Sequence, residues 1–324
     1  MKSKLPTVLR RLAFSIPTAE TRFEKRGFRV AEPDVVDHLE KVGANFLEGY
    51  HSALFADDLP DLESKLENTE KVYRGFAFEG AAMSLTLLDR LSALKKDRVA
   101  EFLEGEADKH IYMVHVGAGW ALARLWWTRR RIVQSISKLD SLLKWLAIDG
   151  FGFHEGYFYP RRYYHSEISL NWLPAYAGRA FAQGLGRSLW FVEGASVEHI
   201  SQTILRMPEQ MRADLWSGIG LACGYAGGVE TEALEGLKSL SRSYLPFVAQ
   251  GVAFAAKTRL RAENATVHTG NACRIICGLS IEDAAFLTDV TLKNLPLTED
   301  LKTPKYEIWR QRIQQEFSPE VIYI

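Results

Sequence analysis

Cysteine is scarce in this chain. Cys223, Cys273 and Cys277 are the full set, too few and too clustered for a disulfide framework, and they fit reduced, buried thiols in a cytoplasmic protein. Cys273 and Cys277 would share one helical face, but no other cysteine or histidine stands at zinc-site spacing near them, so no metal and no cofactor are expected. A run of about 18 uncharged apolar residues is also missing, which argues against a transmembrane span. The segment from Met1 to Gly27 begins with basic residues like a signal peptide, yet Arg10 and Arg11 interrupt its apolar stretch, and secretion is not expected. Charge of one sign is lacking too. The 40 basic and 40 acidic residues balance, which gives no reason to expect nucleic acid as a partner. The run Arg129, Arg130 and Arg131 reads as the solvated C-terminal end of a helix.

Long alternating strand patterns are absent as well, although Ala265 to Ile276 could be extended. What the chain does have is apolar mass: 47% hydrophobic residues, with 8 Trp, 12 Tyr and 17 Phe in 324 positions, enough for a large core and too much for a disordered protein. Apolar residues recur at threes and fours from Val35 to Phe55 and from Arg131 to Leu146. Pro60 to Arg74, Ser196 to Leu205, Glu209 to Tyr225, Glu230 to Leu245 and a run opened by Ser280 read as further helices. The expected fold class is all-α. The tail after Lys302 is rich in proline, charge and glutamine, and Pro319 to Ile322 are expected to pack across the surface.

Two internal echoes share nearly one offset. Phe46 to Phe55 resembles Phe181 to Trp190, 135 residues later, and Val116 to Ala123 resembles Gln250 to Lys257, 134 residues later. Between them, Phe78-Glu79-Gly80-Ala81-Ala82-Met83 echoes Ala222 to Gly228. The reading is a duplicated helical repeat, two pseudo-symmetric halves in one compact unit: an extension at 1–34, halves at 35–168 and 169–300, and a tail at 301–324. Each echo joins glycine to alanine and large aromatics. Glycine inside a helix costs about 1 kcal/mol relative to alanine, and close helix–helix approach supplies the packing reason.

The segment Asp149 to Pro160 holds three glycines, a proline and five aromatic residues. Such a run does not make an ordinary amphipathic helix, and a loop, or a loop entering a short helix, is expected. There His154 would transfer a proton while Glu155 or Asp149 orients or charges it; equally, these groups could only hold the shape of the loop. Phe158 occupies the place of a second histidine, so the zinc-binding His-Glu-x-x-His pattern is not met. Arg124, on one helical face with Trp120, caps a helix, pairs with an acid, or binds a substrate anion. Arg187 interrupts the other glycine-rich apolar run, whose glycine spacing fits neither a phosphate loop nor a dinucleotide site. Asp214, Trp216 and Tyr225 are expected near the same seam, and His268 in a hydroxyl-rich turn. No serine-nucleophile elbow, iron site or haem-attachment motif is present.

Leu9-Arg10-Arg11, Thr21 to Phe28, Gly117 to Arg124, Asp149 to Phe158 and Gly184 to Phe191 together resemble an uncharacterised bacterial family, the DUF1702-like proteins. Its members occur beside enediyne polyketide genes and in other natural-product clusters. The resemblance implies a role in secondary metabolism, as a catalyst or carrier in making an apolar metabolite, and brings no catalytic list with it.

Two readings of function follow. In the first, the protein acts on a hydrophobic natural-product intermediate by proton transfer, as in an isomerisation or cyclisation. Its catalytic set is His154, Glu155 and Asp149, and its substrate-binding set Trp120, Arg124, Phe153, Tyr157, Tyr159, Arg187, Trp190 and Trp216, with Phe151 and Trp172 as further aromatic walls. In the second, the same aromatic residues form a non-catalytic site for an apolar small molecule or partner helix. A homodimer is compatible with either. Convergent titratable groups in a closed cavity would favour the enzyme, and an open apolar groove the carrier.

Overall fold

In the computed structural model, residues 14–92, 96–166, 168–174, 176–298, 300 and 302–318 are described. Residues 1–13 of the signal-like N-terminus, with Leu9-Arg10-Arg11 among them, and Pro319 to Ile322 lie outside them. Every regular element among these residues is helical. The long helices are α1 (Pro33–Phe55), α2 (Lys71–Leu91), α3 (Ile111–Arg124), α4 (Lys144–Phe158), α5 (Ala177–Val192), α6 (Glu209–Tyr225), α7 (Leu245–Arg261), α8 (Ile281–Leu292) and α9 (Lys305–Glu316). Short helices and turns connect them. None of the described helices is long and apolar enough to cross a membrane.

Each helix from α1 to α7 packs on the next through glycine. A Cβ added to Gly80, Gly117, Gly150, Gly184, Gly218 or Gly251 would come within 1.9 to 2.2 Å of the carbonyl oxygen of Phe46, Glu79, Val116, Asp149, Gln183 or Ser217, respectively. A second row answers the first: Gly49, Gly119, Gly152, Gly186 and Gly220 face the carbonyls of Ala77, Ala147, Phe181, Leu215 and Val248. Residue numbers rise in one helix as they fall in its neighbour, so adjacent helices run antiparallel. A side chain at any of these points would drive two backbones apart, which offsets the intrinsic cost of glycine in a helix. The glycines from 117 to 251 recur every 33 or 34 residues, so Gly117 and Gly251 of one sequence echo are four steps apart on this ladder, whereas Gly49 and Gly184 of the other stand in different rows.

The position just before the ladder glycine carries a second pattern. Asp149, Gln183, Ser217 and Gln250 occupy it on α4 to α7, and their side chains bond in series. Gln183 donates to Asp149 at 2.8 Å, and Ser217 donates to Gln250 at 2.8 Å and to Gln183 at 3.3 Å. Arg310 of α9 ends the series on Gln250 at 3.2 Å. Buried polar groups therefore bond to one another across successive helices, with the Gln250 amide nitrogen left without a partner.

Several boundaries differ from the sequence expectation. Asp149 to Phe158 is not a loop but the C-terminal part of α4. Every residue from Trp145 to Tyr157 is buried, so the helix has no polar face to read, and its glycines are contact points with α3 and α5. Arg131 to Leu146 is not one helix: a short helix, Ile132–Ser135, precedes a turn and then α4. Asp140 makes that turn by accepting from the backbone of Leu142 and Leu143 at 2.9 and 2.8 Å. Pro60 to Arg74 divides into Leu59–Glu67 and the start of α2. Ala265 to Ile276 is helical, Val267–Ala272 running into a π turn at Cys273–Cys277. The tail contains α9, whose Tyr306, Trp309, Arg310 and Ile313 are buried in the core. Trp309 packs on Phe254 with ring centroids 4.6 Å apart and donates to the Thr288 carbonyl at 2.8 Å.

The run of helices bends back towards its start. Arg259 of α7 donates to the carbonyls of Val72 on α2 and Tyr225 on α6 at 2.8 and 2.5 Å, and the Phe76 and Tyr225 rings meet edge to face at 5.1 Å. A cavity is left inside the bend.

Candidate functional site

The cavity has a volume of about 600 Å³ and is lined from α1 to α6 and by the segment at 15–21. Phe46, Phe76, Met83, Trp120, Phe153 and Phe191 give it apolar walls. Trp120 is the centre of the aromatic packing: its ring lies 4.6 Å from Phe46, 5.0 Å from Phe153 and 5.5 Å from His154, centroid to centroid. Arg124, Tyr159, Ser15 and Pro17 are exposed and mark the mouth, whereas Glu79, Arg187 and Tyr225 are buried deep in the walls. Apolar surface of this extent suits a ligand that leaves water for hydrocarbon-like surroundings.

Glu79 is a buried acid in this lining. It is 3% exposed. The Trp120 indole N–H donates to its Oε1 at 3.0 Å, and among the described residues no cation pairs with it directly. Burial pushes its carboxyl up to about 7, against the pull of Arg187 and the Trp120 hydrogen bond. A group poised near neutrality can give up a proton and take it back.

Arg187 reaches the same wall and is paired with Asp149 through Nη1, 2.5 Å from Oδ1, while its buried Nε has no hydrogen-bond partner, and its guanidinium lies 5.1 Å from the Phe153 ring centroid. Asp149 does not line the cavity. Its carboxylate, held by Arg187 and Gln183, fixes the Arg187 head instead.

His154 lines the cavity from α4. Burial lowers its pKa, aided by Arg124 and Arg129 and opposed by Glu155, so the ring is neutral at neutral pH. Its Nδ1 has no hydrogen-bond partner, since the nearest Glu155 oxygen is 3.7 Å away. Glu155 also lines the cavity, yet Arg129 and the Tyr163 hydroxyl, the latter at 2.7 Å, occupy the same Oε2. Burial pushes Glu155 up, and His154, Tyr163 and Arg129 more than offset this and hold it below the usual glutamate range. Arg129 is thus half-buried against an acid rather than a solvated helix end.

Of the residues expected from the sequence, Trp120, Arg124, Phe153, His154, Glu155, Tyr157, Tyr159 and Arg187 meet at this cavity. Trp190 and Trp216 do not line it: Trp190 is fully buried and donates to the Gly227 carbonyl at 3.0 Å, and Trp216 is packed in the core. Phe151 and Trp172 meet each other, with Arg129 over both rings, outside the lining. His115 donates from Nδ1 to the Ile111 carbonyl, one turn back on its own helix, at 2.8 Å and lies outside the cavity lining. Asp214 pairs with Arg179 and Arg310. Sequence reasoning passed over Glu79, Phe76, Met83 and Arg129 as site groups. The available signal was a lone glutamate within the apolar run Phe76 to Met83, a costly place for a charge. Among the described residues no cluster of metal-ligating side chains is present.

No curated protein and no solved structure matches the chain. Over residues 6–317, however, it matches the family described as Protein of unknown function (DUF1702), and it belongs to that family.

Proposed function

We propose that this protein acts on a hydrophobic natural-product intermediate held in the cavity, and that Glu79 moves a proton to and from it. The observation that carries this reading is a buried carboxyl without a directly paired cation on the wall of an aromatic cavity. Protonated Glu79 gives its hydrogen to one carbon of a carbon–carbon double bond. The O–H bond breaks, a C–H bond forms, and positive charge develops on the neighbouring carbon beside the faces of Trp120 and Phe153. Loss of an adjacent hydrogen to the Glu79 carboxylate moves the double bond and restores the acid. Attack by a second double bond before that loss closes a ring instead. Neither outcome needs an outside oxidant or reductant.

Asp149 and Glu155 are assigned supporting roles in this reading, since each is already held by an arginine. The two halves at 35–168 and 169–300 remain part of it, because helices of both contribute walls. The engagement of both acids also favours a second reading, a carrier that binds an apolar molecule unchanged. To separate the two, the purified protein is incubated in D2O with an organic extract of its native host, and bound and released molecules are followed by native mass spectrometry. A product carrying deuterium, made by wild type and not by Glu79→Gln, supports proton transfer. An unchanged molecule held equally by both proteins supports the carrier and removes Glu79 from the mechanism.

A further inference from the structure

The charges lining the cavity do not cancel at its mouth. Glu20 is paired with Arg26 at 2.7 Å, Glu155 with Arg129, and Arg187 with Asp149. Arg124, at the C-terminal end of α3, lines the mouth, is exposed, and makes no hydrogen bond or ion pair among the described residues. It stands apart from Glu79, whose surrounding charges are Arg187 and Asp149, and close enough to His154 to disfavour the charged ring. The His154 side chain is only 8% exposed, lines the same cavity and leaves Nδ1 without a partner. Carbonyl groups that would repel an anion here are partly covered: Arg26 donates to the Tyr157 and Phe158 carbonyls at the end of α4, at 3.2 and 2.7 Å.

We propose that the ligand is a long apolar chain ending in an anionic oxygen group, a carboxylate or a phosphate, with its head between Arg124 and His154 and its chain running inward to Glu79 and Trp120. Arg124 supplies fork-shaped N–H donors and the missing charge, and His154 presents one N–H to a second oxygen. The chain then replaces water along Phe46, Trp120 and Phe153, so head and tail are sorted by one entrance. This inference rests on the cavity being a ligand site, and it adds the polarity of that ligand and the direction in which it enters.

The test uses three probes that differ only in the head: oleic acid, oleyl alcohol and oleyl phosphate, each displacing a polarity-sensitive dye from the full-length protein. The acid or the phosphate should bind about tenfold or more tightly than the alcohol, and whichever anion binds better identifies the head. Arg124→Gln, at an exposed position that leaves folding intact, should bring anion and alcohol within about threefold of each other without weakening the alcohol. Nuclear magnetic resonance of the His154 ring should show its pKa rise when the anion binds. Equal binding of anion and alcohol by wild type, or an unchanged ratio in Arg124→Gln, would overturn the head-group site and leave the apolar cavity standing. Failure of all three to displace the dye would overturn both.

Discussion

Asp149 and Gly184 are joined twice over. The Asp149 carbonyl oxygen lies where a Cβ on Gly184 would sit, at 1.9 Å, and the Asp149 carboxylate holds Gln183 and Arg187, on the same helix as that glycine. The close backbone approach thus sets the distance at which the arginine is presented to the cavity. Packing and site chemistry share one contact.

Gly184→Ala should therefore destabilise the protein by about 2–3 kcal/mol or more, because two backbones must part. Gly236→Ala is the control. That helical glycine has nothing within 4 Å of its would-be Cβ, and alanine there should stabilise by about 0.5–1 kcal/mol. Urea unfolding of both variants measures the contrast. Similar effects at the two positions would remove the ladder as the reason for the glycines.

Glu79 makes stability depend on pH in a definite direction. Its folded pKa of about 7 lies above the ordinary 4.5, so the folded carboxyl resists ionisation. Below the ordinary value there is no penalty. As pH rises through the interval from 4.5 to 7, the unfolded chain ionises first and the folded state loses about 3 kcal/mol. The charged groups around it are Arg187 and Asp149. Glu79→Gln should remove this loss, so the variant gains on wild type between pH 4.5 and pH 7 when both are unfolded in urea across that range. The buried histidines, whose pKa values are lowered, destabilise both proteins alike as pH falls, and the difference between the curves isolates Glu79.

Arg310 should be among the costliest side chains to lose. It is fully buried and donates to Asp214 and Glu307 at 2.9 Å each and to the Tyr176 hydroxyl at 3.0 Å. Arg310→Met keeps most of the volume and leaves two buried carboxylates with Arg179 as their shared cation, at a cost of about 3–5 kcal/mol. Arg22→Met breaks a surface pair with Glu40, whose arginine is 70% exposed, and should cost at most about 1 kcal/mol. Thermal unfolding of the two variants compares them directly.

If proton transfer is the chemistry, Glu79→Gln should slow product formation by about a hundredfold or more. Binding of the same molecule should change little, since glutamine keeps an acceptor for the Trp120 N–H. A variant that turns over normally would return the protein to the carrier reading.

The sequence by itself determined a helical chain with a large aromatic core, the family to which it belongs, and a packing reason for its glycines. Helical periodicity marked α1 and α6 well, because those helices have faces of unequal polarity or clear boundaries such as Pro208, which precedes α6. It failed at α4, where burial on all sides erased the periodicity and glycine looked like a turn former. It failed at α9 as well: a polar composition hid Arg310 and Glu307, which become core residues only when paired. The meeting of Trp120, His154 and Arg187 was anticipated, but the role of Glu79 was not. Whether a carboxyl is held near neutrality depends on the burial around it and on which arginines other acids have already claimed. Those are properties of side chains brought together from helices far apart in the chain, and the tertiary structure alone decides them.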